Sequence, residues 1–278
     1  MTAALAPDAT PADAPVEARV AATSRPGRTS GRLYGVVAPL ALVTVLLGVW
    51  EIASRNGWID ADTLSAPTLI WDELVELYRS GSLVDDGFAT VKAMVYALAI
   101  GVPAGVAIGL ALAALPRLNA AVGPLLVPLN SVPRIALAPL CIIWFGITTS
   151  SKVAVAVSLV VFITLFSARA GVKSVDPDML TVSHLMGVPK HRAFLRVVLP
   201  ASVPSIFAGI RLALTYSLLG VVATEMVAAR DGLGVSIVRF GGVFNTSGVF
   251  AILLVLALMS SLLSVGLDLL ERWLLRWQ

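Results

Sequence analysis

KSVDPDMLTVSHLMGVPKHRAFLRVVLP, residues 173 to 200, separates an apolar run at approximately 153 to 172 from another at 202 to 225. Despite its position between two runs, this segment is not loop-like. Asp176 followed by Pro177 is an N-cap and first-turn pair, because the carboxylate accepts free backbone N–H groups and proline needs no donor there. Gly187 can end that helix in a left-handed cap, and Pro189 can open a second helix running to Val198 before Pro200. Two short helices meeting at a glycine hinge are predicted. Leu180, Leu185, Met186, Phe194, Leu195 and Val198 alternate with Lys190, His191, Arg192 and Arg196, so the segment has an apolar and a cationic side. That pattern suits docking to another protein, or a helical hairpin folded back onto its own spans.

Outward from this segment the chain is apolar. Of its 278 residues, 58% are hydrophobic and only 13% charged, whereas a soluble domain carries about 25% charged residues. Such a composition cannot cover a water-facing surface. Six stretches, at approximately 33 to 53, 89 to 115, 120 to 145, 153 to 172, 202 to 225 and 247 to 270, reach the roughly 20 residues a helix needs to cross a bilayer. The first is too long for the core of a cleavable signal peptide. Net charge is only +3 without a basic run, which excludes a nucleic-acid binder. Cys141 is the single cysteine, so neither a disulfide framework nor a thiol pair is available.

Six spans place both ends on one side. With the N-terminus inside, twelve Lys and Arg are cytoplasmic, five are outside and three, Lys92, Arg134 and Arg211, fall in or at the spans. The positive-inside rule therefore favours cytoplasmic termini, and Trp273 and Trp277 beside Arg272 and Arg276 fit an interfacial anchor. The organisation expected is a disordered cytoplasmic tail at 1 to 32, a first span with an outer linker at 33 to 66, and the remaining spans at 67 to 278. In the outer region, Pro67 and Thr68 precede Ile70, Leu74, Leu77 and Tyr78, with Gly81 as stop. This is a short amphipathic helix, expected to lie on the membrane surface as a packing element.

An enzyme site would show converging titratable groups or a metal-ligand cluster. The two histidines, His184 and His191, lack cysteine or carboxylate partners at zinc spacing, and no glycine precedes a lysine anywhere, so the phosphate-cradling GxxxxGK[ST] loop is missing. Gly101, Gly105 and Gly109 form two overlapping GxxxG units, a helix-packing face. Pro124, Pro128, Pro133 and Pro139 break the third stretch, and freed carbonyls at membrane depth require burial or a wet cavity. A cavity or gate near Asn130, Pro133 and Arg134 is one reading; crowding by neighbouring helices is the other. In the fifth span Ser205, Gly209, Ala213, Tyr216, Ser217, Gly220 and Thr224 share one narrow face at about 100° per residue, a candidate pathway wall with Glu225 at its end. Arg211 projects from the opposite side, where it is expected to pair with another helix or snorkel.

The segment resembles the signature loop of bacterial ABC importer permeases, E-A-A, three residues, Gly, nine residues, Ile, any, Leu-Pro. Nine residues separate Gly187 from Val197, Val198, Leu199 and Pro200, while Thr181, Val182 and Ser183 occupy the E-A-A places. Asn130 to Leu140, Trp144 to Gly146, Ser151-Lys152, Gly171 to Asp176, Gly209 to Arg211, Glu225-Met226 and Gly232 to Gly234 are similar to the nitrate, sulfonate and taurine branch of that family.

The resemblance implies an all-α integral membrane protein of the type I ABC importer permease fold, six transmembrane helices with a cytoplasmic coupling helix between spans 4 and 5. It implies contacts to the ATPase through Asp178, Thr181, Ser183, Gly187, Val188, Pro189, Leu199 and Pro200. It further implies a permease homodimer in the bacterial inner membrane, two cytoplasmic ATPase subunits that use ATP, an extracytoplasmic solute-binding protein, and no cofactor bound by this chain. The solute expected is a small anion, aliphatic sulfonate or taurine first, nitrate or a thiamine-precursor-like compound behind. A proton- or sodium-coupled carrier is the rival class, and would need intramembrane acids.

Overall fold

The computed structural model describes residues 30 to 58 and 60 to 274; residues 1 to 29 of the expected tail and Trp277 lie outside the described residues, and residues 30 to 32 open the first helix. The chain divides into two compact units, Met1–Trp58 and Ile59–Gln278. The first unit holds α1 (Ser30–Arg55), whose Val37–Arg55 stretch is long and apolar enough to cross a membrane. Glu51 and Arg55, four residues apart, form an ion pair of 2.6 Å at its end.

In the second unit, α2 (Ala61–Leu64) and α3 (Pro67–Arg79) precede α4 (Ser82–Ala114), α5 (Pro116–Ser131), a 3-10 turn (Arg134–Leu137), α6 (Ala138–Phe145) and α7 (Thr149–Lys173). Then come α8 (Pro177–Leu185), α9 (Lys190–Ala193), a π turn (Phe194–Val198), α10 (Leu199–Val227), α11 (Leu233–Gly242) and α12 (Thr246–Leu274). Five helices among the described residues have the length and composition of a membrane span, or six when α5 and the bent segment Arg134–Phe145 count as one. That pair corresponds to the third expected stretch, but it is bent by 82°. The physical reason is Pro133, which drives Val132 to an extended conformation (φ −65°, ψ 127°) and ends α5 there.

The core is a seam of three helices. Ala93, Met94 and Ala97 of α4, Ala156 of α7 and Leu218 and Val221 of α10 are buried together, with Met259 and Leu263 of α12 packed against them. Glycine makes the α4–α7 approach possible. A Cβ at Gly101 would lie 2.6 Å from Val160 Cγ1, one at Gly105 would fall on Thr164 Oγ1 and the Val161 carbonyl oxygen, and one at Gly109 would lie 2.5 Å from the Leu165 carbonyl oxygen. The GxxxG run is thus a backbone-contact face, as its spacing predicts.

The amphipathic helix α3 buries Ile70 and Leu77 and leaves Trp71 and Tyr78 exposed. It is tied to the start of α12, where Asn245 Nδ2 donates to Glu73 Oε2 (3.3 Å), and the neighbouring Ser65 and Ser247 hydroxyls are 2.8 Å apart. Gly81, at φ +80°, both ends this region and opens α4.

Candidate functional site

Asp176 Oδ1 accepts from the Asp178 N–H at 2.9 Å, so α8 starts where the sequence places its cap. It ends on Gly187 at φ +72°. There the Gly187 N–H donates to the His184 carbonyl and the Val188 N–H to the Ser183 carbonyl, both at 3.0 Å. These two bonds are a Schellman closure, which needs a left-handed residue at its centre. Thr181 and Ser183, in the E-A-A places, turn their hydroxyls inward onto the Pro177 and Met179 carbonyls (3.0 and 2.9 Å), leaving Val182 exposed between them. At the tip Leu185 and Met186 are 84% and 77% exposed. Two large apolar side chains so fully in the open are what a docking surface presents.

After Pro189 the chain does not stop at Pro200 as the sequence reading expects. Lys190 to Val227 is one continuous apolar helical run. Pro200 has no N–H for the preceding turn, and the local switch to π geometry at Phe194–Val198, just before it, accommodates that missing donor without ending the helix. Leu199 and Pro200 thus form the first turn of α10 itself. A cavity of about 740 Å³, lined by Ala113, Leu115, His184, His191, Phe194 and Leu195 among others, lies between the end of α4 and this segment.

The 82° break carries Arg134. Its Nη1 donates to Asn130 Oδ1 (3.2 Å) and its Nη2 to the Leu129 carbonyl (3.0 Å), while the guanidinium lies 3.8 Å from the centre of the Phe162 ring. Ser131 Oγ donates to the Val127 carbonyl at 3.1 Å. One of the carbonyls released at the end of α5, that of Leu129, is therefore satisfied locally by Arg134. Pro133 caps the 3-10 turn, and the residues around it, Asn130 to Val132, are exposed.

The face of α10 expected to wall a pathway is a packing seam in this structure. Ala213 and Ser217 are fully buried, and Ser217 Oγ donates to the Met94 carbonyl of α4 at 3.4 Å. A Cβ at Gly209 would collide with Ser167 of α7, and one at Gly220 would lie 2.7 Å from Leu159 Cδ1 and 3.2 Å from Ala156 Cα. Ser205 approaches Gly171 in the same way. Small residues on one face serve close helix contact and pore lining alike, and here the neighbouring helices fill the space. Tyr216, 45% exposed, is the member of the set that stays open. Arg211, as expected, pairs with another helix: its Nη2 is 2.6 Å from Asp268 Oδ1 and 2.7 Å from Glu271 Oε2 on α12.

Glu225, expected at the end of the pathway wall, is here a member of a buried polar network. Its carboxylate is buried, and accepts from Lys152 Nζ (3.1 Å), the Gly234 N–H (2.9 Å) and the Thr90 hydroxyl, which lies 3.0 Å from both oxygens. Lys152, itself 2% exposed, spends its other two donors on Asp231, at 2.7 Å to the side chain and 2.7 Å to the carbonyl. The Thr90 Oγ1 accepts from the Leu233 N–H (3.0 Å), Asp86 accepts from the Gly232 N–H (3.0 Å), and Ser236 also donates to Asp86. Four elements, α4, α7, α10 and the start of α11, meet on one buried ion pair. Gly232 is required there, since its φ is +115° and a Cβ would land on the Glu225 carboxylate.

A detached, capped helix with an apolar tip, joined rigidly to a bundle of long apolar helices, agrees with what comparison shows. Residues 101–277 match the family described as binding-protein-dependent transport system inner membrane component. The chain belongs to that family. It is a multi-pass ABC importer permease. Among its relatives is a Bacillus subtilis permease named for aliphatic sulfonates transport, SsuC, 31% identical over 93% of this chain and 92% of its own length. The formylaminopyrimidine transport permease protein ThiX of Halalkalibacterium halodurans is 31% identical (89% and 98% covered), and the Escherichia coli taurine transport system permease protein TauC 29% (87% and 90%). Among solved structures, the MetNI methionine ABC transporter in inward-facing conformations shares the fold, at TM-score 0.55 and 18% identity over 74% of this chain and 98% of that one.

In this permease the resemblance carried by Ser151-Lys152, Glu225 and Gly232 to Gly234 names three pieces of one network. Their joining went unread from the sequence, where Lys152 and Glu225 stand 73 residues apart. The one local signal was a lysine at the start of one apolar run and a glutamate at the end of another.

Proposed function

We propose that two copies of this permease, each gripped at α8 by a cytoplasmic ABC ATPase subunit and served by an extracytoplasmic binding protein, import a small organic anion by alternating access. Both termini face the cytoplasm of an inner membrane. ATP is bound and hydrolysed by the ATPase subunits, and this chain holds no cofactor. Our first choice of solute is aliphatic sulfonate or taurine, as two relatives' names have it, with nitrate or a thiamine precursor behind.

The observation that carries the reading is the exposed Leu185–Met186 tip beside the left-handed Gly187. The tip continues through Pro189 and the π turn into α10. Asp178, Thr181, Ser183, Val188 and Pro189 build the docked element, and Leu199 and Pro200 join it to the span. Displacement of α8 by closing ATPases is then passed to α10, and through its packing seam to α7 and α4, which reorient together. The ion-coupled alternative lacks this support. Glu225, Asp268 and Glu271, the carboxylates on α10 and α12, each lie beside a cation rather than standing open to a proton or sodium ion.

Reconstitution tests it. Liposomes holding the chain with its candidate ATPase and binding protein are expected to take up taurine only with internal ATP. Uptake driven by an ion gradient with this chain alone would discard the proposal. Gly187→Pro is expected to leave the protein inserted but uncoupled, because proline is locked near φ −65° and lacks the N–H that closes on His184. The readout is ATPase co-purification together with transport, and wild-type values of both would remove α8 from the docking surface.

A further inference from the structure

We propose that Arg134 is the anion-contact residue of this permease, its guanidinium opening on an aqueous passage at mid-depth of the membrane. Depth follows from Phe162, on which the guanidinium is stacked. It stands thirteen residues from Thr149 and eleven from Lys173, the ends of α7, hence about 20 and 17 Å from them at 1.5 Å per residue.

Of the cations carried by the long apolar elements, Lys152 and Arg211 are neutralised by acids, whereas Arg134 at the break, like Arg169 near the end of α7 on the Asn119 carboxamide, is not. Lys152 has Glu225 and Asp231; Arg211 has Asp268 and Glu271. Arg134 has a carboxamide oxygen, a backbone carbonyl and an aromatic face, all formally uncharged. Its positive charge therefore stands. An uncancelled intramembrane charge faces a bundle interior or a water-filled cavity, not hydrocarbon. Arg134 is half-buried, and the chain beside it, Asn130 to Pro133, is exposed, so the open side is the one where α5 breaks.

The donor geometry specifies the ligand class. Two of the five guanidinium N–H groups are used, and Phe162 covers one face of the plane. The remaining edge suits bidentate contact with an oxyanion such as a sulfonate or carboxylate. Fixing α5's last turn and presenting that edge are compatible tasks, because the two bonds already made orient the fork. The identity of the solute rests on the importer reading above; the wet, electropositive face does not.

The test uses the full chain in lipid, with Cys141→Ala removing the one native thiol and Ser131→Cys as reporter beside the break. Reaction with sulfonatoethyl methanethiosulfonate is compared with that of its trimethylammonio counterpart, each normalised to the same reagent's rate with free cysteine. The anionic reagent is expected to be favoured about tenfold, as in clefts of one charge sign, and Arg134→Gln to bring the ratio to about one. Arg134→Lys keeps part of the preference. Failure of both reagents to reach the thiol, or a ratio that ignores Arg134→Gln, overturns the proposal; an acid supplied by a second copy would give the latter. In the reconstituted assembly, Arg134→Gln is expected to lower taurine uptake at least about tenfold, and Arg134→Lys by less. Unchanged uptake in Arg134→Gln also overturns it. A wild-type assembly that moves no anion while the labelling ratio stands sinks the importer reading and supports the anion-contact assignment.

Discussion

Lys152→Met is expected to destabilise the folded permease by about 3 to 5 kcal/mol, the penalty for leaving one half of a buried ion pair without its partner. The carboxylate it abandons, Glu225, is buried and would keep only the Thr90 hydroxyl and the Gly234 N–H. Glu225→Gln is expected to cost less. It leaves Lys152 bound to Asp231, whose side chain is 60% exposed and so retains hydration, and its amide can still accept from Gly234. The double variant Lys152→Met, Glu225→Gln should be more stable than Lys152→Met alone, since it removes the abandoned charge. Thermal unfolding in detergent measures all three. Equal stability of Lys152→Met and wild type would mean that the pair contributes nothing to the bundle. Because α4, α7, α10 and α11 meet on this pair, its loss is also expected to loosen the Gly232 to Ser236 turn, read as faster amide exchange there.

The spans were legible because length and apolarity are summed over twenty residues and tolerate local exceptions. Their ends were less so. The second was expected from residue 89, yet α4 begins at Ser82, because Asp85 and Asp86 depress hydropathy at a place where acids favour a helix start and where Asp86 serves the Gly232 N–H and Ser236. In the 173 to 200 segment, Asp176 and Gly187 act through short-range backbone chemistry and were readable. Pro200 was misread as a terminator, since whether a helix continues through proline depends on what the preceding turn can absorb. For Arg211 the kind of partner was legible and its identity was not.

The small-residue face of α10 shows the same limit most clearly. Periodicity places Ser205, Gly209, Ala213, Ser217 and Gly220 on one side, but the pattern is silent about what that side meets. In this structure that side makes backbone approach to α7 and contact with α4. On the proposal made above, the candidate pathway lies at the break at Asn130 to Arg134. There the proline pattern had left two alternatives, and the geometry has something of each: the Leu129 carbonyl satisfied by a local side chain, and a guanidinium left with an open edge.

Gly105→Ala is expected to destabilise the permease by about 1 to 3 kcal/mol, the range for forcing one extra carbon into a well-packed interior. The cost arises because the added carbon meets the Val161 carbonyl oxygen, part of the backbone of α7. A flexible side chain would rotate aside; a helix backbone cannot. The two helices must separate, and because Gly101 and Gly109 also approach α7 closely, separation at the centre weakens both flanking contacts. Gly105→Leu should prevent recovery of folded protein. The discriminating control is glycine at an open helical position. At Gly87 of α4 and Gly266 of α12 a Cβ would meet nothing within 4 Å, so alanine there is expected to stabilise by about 0.5 to 1 kcal/mol through helix propensity. Opposite signs for Gly105→Ala and Gly87→Ala, measured as melting shifts in one detergent, would show that helix contact rather than propensity sets the requirement for glycine. The same sign at both positions would reject it. Since α7 is also the helix against which α10 packs its small face, widening the α4–α7 gap is expected to reduce transmission from α8 as well, and ATPase activity should then persist without proportionate transport.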